Sequence, residues 1–395
     1  MSDPNILLIE YCNFRDFPIG GQLSFAIQMM KAFGNRLALV GITTERDEPV
    51  GEWIEKKIDG IKYRFFAIDK KIDIQRKPII PARLTAFIKV QLYKKKILTI
   101  GAESVFIMAP EILIAVKNWG WKSICYRFAG IENPLERPRY RWGKLFAKFF
   151  DHSLFKALQK VDVIIASADD RAINRLLERS KGRLSNGKVI KFPTRVDTNL
   201  FKPISKTEAR KVLGLKDTEL IIVWCGRLNR MKGWELALDS FNIFIQSNEA
   251  GHLIFVGDGE DRNVIERKIV QYNLSGKVTI TGFQPTEKVV YYLNAADLVI
   301  VTSYQEGWSI AMLEALACGK ALVSTDVSGA YDMIEEGKNG FIVKERNPEK
   351  FAEAMALSLK LKNPSEVSLR IAQKFALKNL AQDLESIWTV LKQSK

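Results

Sequence analysis

Apolar residues in this chain come in short continuous runs, separated by longer stretches in which they recur every third or fourth position. Such alternation predicts buried strands joined by helices. In the first half the runs at 5–11, 36–43, 104–108, 123–128, 161–166 and 188–192 read as strands, and a helical period covers 22–33. The polar, proline-bounded stretch 193–203 (PTRVDTNLFKP) interrupts the pattern. A second alternation starts at Leu220, with strand-like runs LIIVWCG, LIFVGDG, VTITGF and LVIVTS and helical periods at 232–246, 261–272 and 287–294 between them. The tail, 375–391, is periodic and amphipathic. An α/β protein of two doubly wound domains follows.

The stretch 303–326 (SYQEGWSIAMLEALACGKALVSTD) gathers candidate chemistry. The run 298–302 predicts a strand, Gly307 a turn, Ser309 an N-cap, and Gly319 the end of the helix. Amides of Ser309, Ile310 and Ala311 at the helix start then suit a phosphate, with the helix dipole behind them. Glu306 and Glu314 are acceptor-only groups when ionised and suit sugar hydroxyls. Arg227 and Lys232, between a strand and a helix in GRLNRMKGWELAL, suit two phosphates; solvated loop charges are the other reading. Gly20 and Gly21 precede the first helix, where backbone without Cβ atoms admits a phosphate, or where a plain turn falls.

Composition narrows the class. The chain has 395 residues, 47% hydrophobic and 27% charged, which suits a soluble globular protein. No signal peptide is read at the start, and the most apolar segment, 104–121, carries Glu111 and Lys117 around Pro110, so a cytoplasmic product is expected. Cys12, Cys125, Cys225 and Cys318 are scattered, and with only His152 and His252 there is little material for a metal site; no metal is expected. The net charge of +15 concentrates in the first half. Leu84, Phe87, Ile88, Leu92 and Ile97 alternate with Arg83, Lys89 and Lys94 to Lys96, and Trp142, Leu145, Phe146, Phe149 and Phe150 lie beside Arg141, Lys144 and Lys148. Both segments are basic amphipathic helices, either surface helices with an apolar side turned to the core or contacts for an anionic membrane surface. No nucleic-acid-binding signature accompanies the charge, and no nucleic-acid partner is expected.

EGWSIAMLEALACGK, residues 306–320, resembles the E-x7-E signature of the retaining GT-B glycosyltransferases, family 4 type. The G-R-x-x-x-x-K-G spacing at 226–233, VGDGEDR at 256–262, TGFQP at 281–285 and the linker VDTNLFKP are similar to segments of that family. The resemblance implies a GT-B fold, two Rossmann-like domains facing across a cleft: 1–196 for the acceptor and 197–375 for the nucleotide sugar, with 376–395 crossing back to the first. It implies retaining, metal-independent transfer of a sugar from a nucleotide-diphosphate donor to a saccharide or lipid-linked acceptor, with no cofactor. Carried over by position, Glu306 contacts the donor sugar, Glu314 the ribose, and the amides of Ser309, Ile310 and Ala311 the diphosphate, which Arg227 and Lys232 clamp, with Gly307 and Trp308 also among the donor-binding residues. Gly257, Phe283 and Gln284 fall at the nucleotide, and Gly20 and Gly21 match the glycine-rich loop. Many members carry a histidine near the end of the strand here spanning 123–128; this chain reads CYRFAGIENP, leaving Arg127, Glu132 or Asn133 as candidates. A soluble-product synthase of sucrose or trehalose type, and a scaffold binding an anionic partner, are the other readings.

Overall fold

The computed structural model describes residues 4–18, 20–73, 80–128, 130, 133, 135, 141–247 and 251–393; Glu132 lies outside them, as do the side chains of Arg141 and Trp142. The chain divides into two units, Met1–Pro193 with Lys378–Lys395, and Thr194–Leu377.

In the first unit the strands β1 (Ile6–Ile9), β2 (Leu37–Thr43), β3 (Trp53–Ile58), β4 (Ile61–Lys70), β5 (Ser104–Ile107), β6 (Ser123–Phe128), β7 (Val163–Ala166) and β8 (Val189–Lys191) form one sheet in the order β3-β4-β2-β1-β5-β6-β7-β8. Strands β1, β2, β5, β6 and β7 are buried along their whole length, which is why they are apolar runs rather than alternating ones. Strand β3 pairs antiparallel with β4 through Asp59 and Gly60, both at positive φ, and its burial alternates as an edge strand's does. The order reverses at β1, with β2 on one side and β5 on the other. Crevices at the carboxyl ends of strands flanking such a reversal are where open α/β sheets take ligands.

The terminal helix Leu380–Gln393 completes this unit. Trp388, 5% exposed, donates from its indole N–H to Ser123 Oγ and lies 6.5 Å from the Phe106 ring. Arg36 and Glu385 pair at 2.5 Å.

The basic segment after β4 departs from its expected geometry. It is two helices, Ala82–Leu92 and Lys94–Leu98, meeting at Tyr93. The face turned to the core is Ala86 and Val90, with Phe87 partly buried, while Leu84, Ile88 and Leu92 are 47%, 52% and 69% exposed. Leu84, Ile88 and Leu92 are thus left outside, while Ile97 of the second helix is fully buried. In the second basic segment Leu145, Phe146 and Phe149 are exposed, whereas Phe150 packs on the core.

The second unit holds β9 (Ile221–Cys225), β10 (His252–Val256), β11 (Val278–Ile280), β12 (Leu298–Val301), β13 (Leu322–Thr325) and β14 (Gly340–Val343), all parallel, in the order β11-β10-β9-β12-β13-β14. Each face of this sheet carries its own apolar cluster, one around Leu313 and Leu316, the other around Phe241 and Phe351. The reversal here falls at β9, between β10 and β12.

Replacing Trp388 with alanine removes the indole that seats the terminal helix. A loss of about 3 kcal/mol is expected from the volume vacated, measured by urea unfolding; an unchanged midpoint would contradict this seating.

Candidate functional site

The loop leaving β9, residues 226–233, and the loop leaving β12, residues 302–309, meet at the reversal point of the second sheet. Gly233 makes this possible: its φ is +70°, and a Cβ there would stand 1.9 Å from the Thr302 carbonyl oxygen. Asn229 Oδ1 accepts from the Lys232 amide at 3.0 Å and shapes the turn Arg230–Lys232. Tyr304 N–H donates to the Met231 carbonyl at 2.9 Å, and Arg346 donates to the carbonyls of Thr302 and Ser303 at 2.8 and 3.1 Å with its guanidinium 3.5 Å from the Tyr304 ring. So held, Lys232 Nζ lies 2.6 Å from Glu306 Oε1, which also accepts from Ser303 Oγ at 2.6 Å. The Glu306 side chain is 11% exposed and that of Lys232 35%.

Just beyond lies the helix Ile310–Ala317, whose N-cap Ser309 accepts from the Met312 amide at 3.4 Å. Its first amides face outward by helix geometry and favour an anion. Gly307 forms the turn before it. Trp308 is a core residue, 6% exposed, its ring edge-on to Phe375 at 5.4 Å. Glu314 is partly buried, and burial pushes its carboxyl up to about 8. Beside it, burial and then the Glu314 charge push the Cys225 thiol up.

Arg227 pairs with Glu260 at 3.0 Å, both side chains largely exposed. Gly257 is fixed by packing: at φ +149° its Cβ would lie 1.9 Å from the Gly226 carbonyl oxygen. An isolated bridge between Gly257 and Gly282 sets the turn carrying Phe283, 77% exposed, and Gln284, which donates to the Thr281 carbonyl at 2.9 Å. The second unit thus joins Lys232 and Glu306 directly and hangs Arg227, Gly257, Phe283 and Gln284 on the loops after β9, β10 and β11.

In the first unit Gly20 is the N-cap and Gly21 the first residue of the helix Gly21–Phe33, with no side-chain cap; both line a cavity at the carboxyl ends of β1 and β5. Arg127 is 2% exposed, bonded to Ser167 Oγ at 2.7 Å and seated 3.8 Å from the Phe25 ring, and burial lowers it to about 9. Asn133 donates to the Ala147 carbonyl at 2.9 Å and accepts from the Leu135 amide at 2.8 Å. Both candidates are therefore occupied by their own chain. Sequence reasoning missed Arg346, which follows the last strand with no repeating signal around it, and Ser303, which lay inside the stretch but carried no charge. Among the described residues no group of three or more His, Cys, Asp or Glu is placed to hold a metal ion, and no helix is long and apolar enough to cross a membrane.

Residues 205–374, which lie within the second unit, match the family "Glycosyl transferases group 1". D-inositol 3-phosphate glycosyltransferase of Segniliparus rotundus is 27% identical over 173 residues, 43% of this chain and 38% of that protein. The chain spans less than two thirds of the length of the curated relatives it matches. Over its whole length it shares the two-domain GT-B fold of sucrose-phosphate synthase from Thermosynechococcus elongatus (TM-score 0.74, 19% identity, 99% of both chains). HepE of Anabaena, solved with UDP, has the same fold (TM-score 0.71, 17% identity, 98% of this chain and 100% of that one).

The raised Glu314 carboxyl makes a testable mark on stability. A carboxyl near 4.5 when unfolded and about 8 when folded favours folding fully below pH 4.5, and that contribution is lost as pH rises through about 8. Glu314→Gln should raise stability by several kcal/mol more above pH 8.5 than near pH 5, read from urea midpoints at the two pH values. Equal midpoints for both proteins at high pH would contradict the burial.

Proposed function

We propose that the protein transfers a sugar from a nucleoside-diphosphate sugar to a hydroxyl of a saccharide or lipid-linked acceptor, with retention and without a divalent metal, in the synthesis of a cell-surface glycan or glycolipid. The Lys232–Glu306 pair at the reversal point of a group 1 domain carries this reading. Breaking the bond from sugar to diphosphate leaves negative charge on the departing phosphate and positive character on the ring. Lys232, Arg227 and the amides of Ser309, Ile310 and Ala311 would neutralise the first. Glu306 would accept from hydroxyls of the donor sugar, and Glu314 from the ribose. Each cation is already matched by a carboxylate, Lys232 by Glu306 and Arg227 by Glu260, so a diphosphate would replace a carboxylate at each, and the released Glu306 would keep the Ser303 hydroxyl and take the sugar hydroxyls as donors. Phe283, exposed on its turn, would face the base. The first unit takes the acceptor. Sucrose-phosphate synthase shares the fold, which supports the synthase alternative equally at the level of fold.

The exposed Leu84, Ile88 and Leu92, spaced four apart on one helix, support work at an anionic membrane surface on the cytoplasmic side. Arg83, Lys89 and Lys94 to Lys96 flank them, so apolar side chains could enter the headgroup boundary while the cations meet lipid phosphates.

Two measurements check these readings. In a thermal-shift series of UDP, GDP, ADP and dTDP, one diphosphate should raise the melting temperature; Lys232→Ala should weaken that shift and lower transfer from the matching nucleotide sugar several hundredfold, about 3 to 4 kcal/mol, in the presence of EDTA. No shift from any of the four would refute the donor site. Co-sedimentation with phosphatidylglycerol vesicles at low salt should be clear for the native protein and mostly lost in the double variant that combines Leu84→Ser with Leu92→Ser; equal sedimentation of both would remove the membrane reading.

A further inference from the structure

The loop after β12 is held at both ends, and Glu306 lies between them. At its start the Ser303 carbonyl accepts from Arg346 at 3.1 Å and from the Thr325 hydroxyl at 2.7 Å. At its end stands Trp308, the residue before the N-cap Ser309. A large apolar residue at that position sets the angle at which a chain runs into its helix. Here it decides where the amides of Ser309, Ile310 and Ala311 point.

Packing holds this end. Trp308 is 6% exposed and seated against Gly329, which has φ +84° and where a Cβ would stand 2.8 Å from Trp308 Cε3. The Phe375 ring meets the indole edge-on, with centroids 5.4 Å apart. Removing that ring would vacate space beside the indole and let it tip. Phe375 is itself fixed by main-chain bonds. Its N–H donates to the Ala372 carbonyl at 3.0 Å, and its carbonyl accepts from the Val196 N–H at 2.9 Å. The Leu377 N–H donates to the Val196 carbonyl at 2.8 Å, and Val196 and Ala376, both buried, pair in an isolated parallel bridge. Arg195 adds a bond from its guanidinium to the Lys374 carbonyl at 3.3 Å. Residues 194–196 and 374–377 are the first and last of the second unit, so the chain's two passages out of that unit are tied together beside Phe375.

We propose that Phe375 is a positioning residue for the donor site: through Trp308 it sets the helix-start amides and the turn carrying Glu306, and a diphosphate on those amides and the pairing of 194–196 with 374–377 favour each other. This rests on the reading that the loop after β12 takes the donor, and adds to it a residue that touches no ligand. A diphosphate that fixes the amides restricts Trp308, a restricted indole holds the Phe375 ring, and Phe375 carries the carbonyl to which Val196 bonds. The same steps run in reverse, so the coupling is one free energy that can be read from either end.

The test uses the full chain and whichever of UDP, GDP, ADP and dTDP raises the melting temperature. Its dissociation constant is measured by calorimetry in the native protein, Phe375→Leu, Phe375→Tyr and Phe351→Leu, and amide exchange at Val196 and Leu377 is followed without it and at saturation. Phe351 is buried in the apolar cluster that does not include Trp308, so its variant loses packing in the same unit at a different place. Phe375→Leu should bind about tenfold more weakly, within the usual range of couplings between sites. Phe375→Tyr, which keeps the ring, and Phe351→Leu should bind as the native protein does. The diphosphate should slow exchange at both amides about tenfold in the native protein and in Phe351→Leu, and leave it unchanged in Phe375→Leu. Native affinity in Phe375→Leu, an equal loss in Phe351→Leu, a loss in Phe375→Tyr, or native amides indifferent to the diphosphate would each overturn the inference. The exchange measurement needs only the native protein, so it decides the matter even where Phe375→Leu does not fold. If no diphosphate raises the melting temperature, the donor reading fails and takes this inference with it; a raised melting temperature with indifferent amides sinks this inference alone.

Discussion

The chemistry assigned to the second unit depends on one close approach, the backbone of Gly233 against the carbonyl of Thr302. Any side chain at 233 would drive the loops after β9 and β12 apart, because its Cβ would overlap a backbone oxygen that cannot move without disturbing the strand behind it. The approach is reinforced from the other direction by Arg346, whose guanidinium ties the carbonyls of Thr302 and Ser303 and stacks on Tyr304. With the loops so fixed, a lysine and a glutamate from chain positions far apart meet at 2.6 Å. Neither is fully buried, so the pair is open to exchange with a ligand while remaining preorganised for one.

The two units solve a similar problem in the same place. Each has a parallel sheet whose strand order reverses next to its central strand, β1 in one and β9 in the other, and each puts a carboxyl there that burial raises to about 8, Glu10 and Glu314. A carboxyl in such surroundings lowers stability as pH rises, and neither is relieved by a neighbouring cation strong enough to offset its burial. Groups of this kind cluster at binding and catalytic sites, where the ligand rather than the fold satisfies them. Around Lys232 the charges are matched instead, by Glu306 at 2.6 Å.

Much of this was legible in the sequence, for physical reasons that differ by element. Strands buried on both faces announce themselves as apolar runs, and the run at 123–128 coincides with β6. The hairpin of β3 and β4 escapes a reading of apolar runs although Asp59 and Gly60 are a strong turn signal, because the consecutive charges Glu55, Lys56 and Lys57 mask a strand that lies at the sheet's edge. The helix Ala82–Leu92 shows the limit of periodicity: its large apolar residues form a stripe, yet the small Ala86 and Val90 make the packed face. At the site, Lys232, Glu306 and Ser309 could be read from motif and spacing. Arg127 and Asn133 could not be judged, since position along the chain does not reveal that Ser167, Phe25 and the backbones of Leu135 and Ala147 already engage them. Glu10, a lone acid after a strand, looks in sequence like any surface residue.

The central claim is that Lys232 and Glu306 exchange each other for the two ends of an activated sugar. A crystal structure of the protein with an intact nucleotide sugar tests it most directly. The account predicts that Lys232 Nζ leaves Glu306 for the diphosphate and that the Glu306 carboxylate turns to hydroxyls of the sugar, with the phosphates beside the first amides of the helix Ile310–Ala317. A bound nucleotide sugar with the Lys232–Glu306 contact unbroken, and its diphosphate away from that helix, would contradict it.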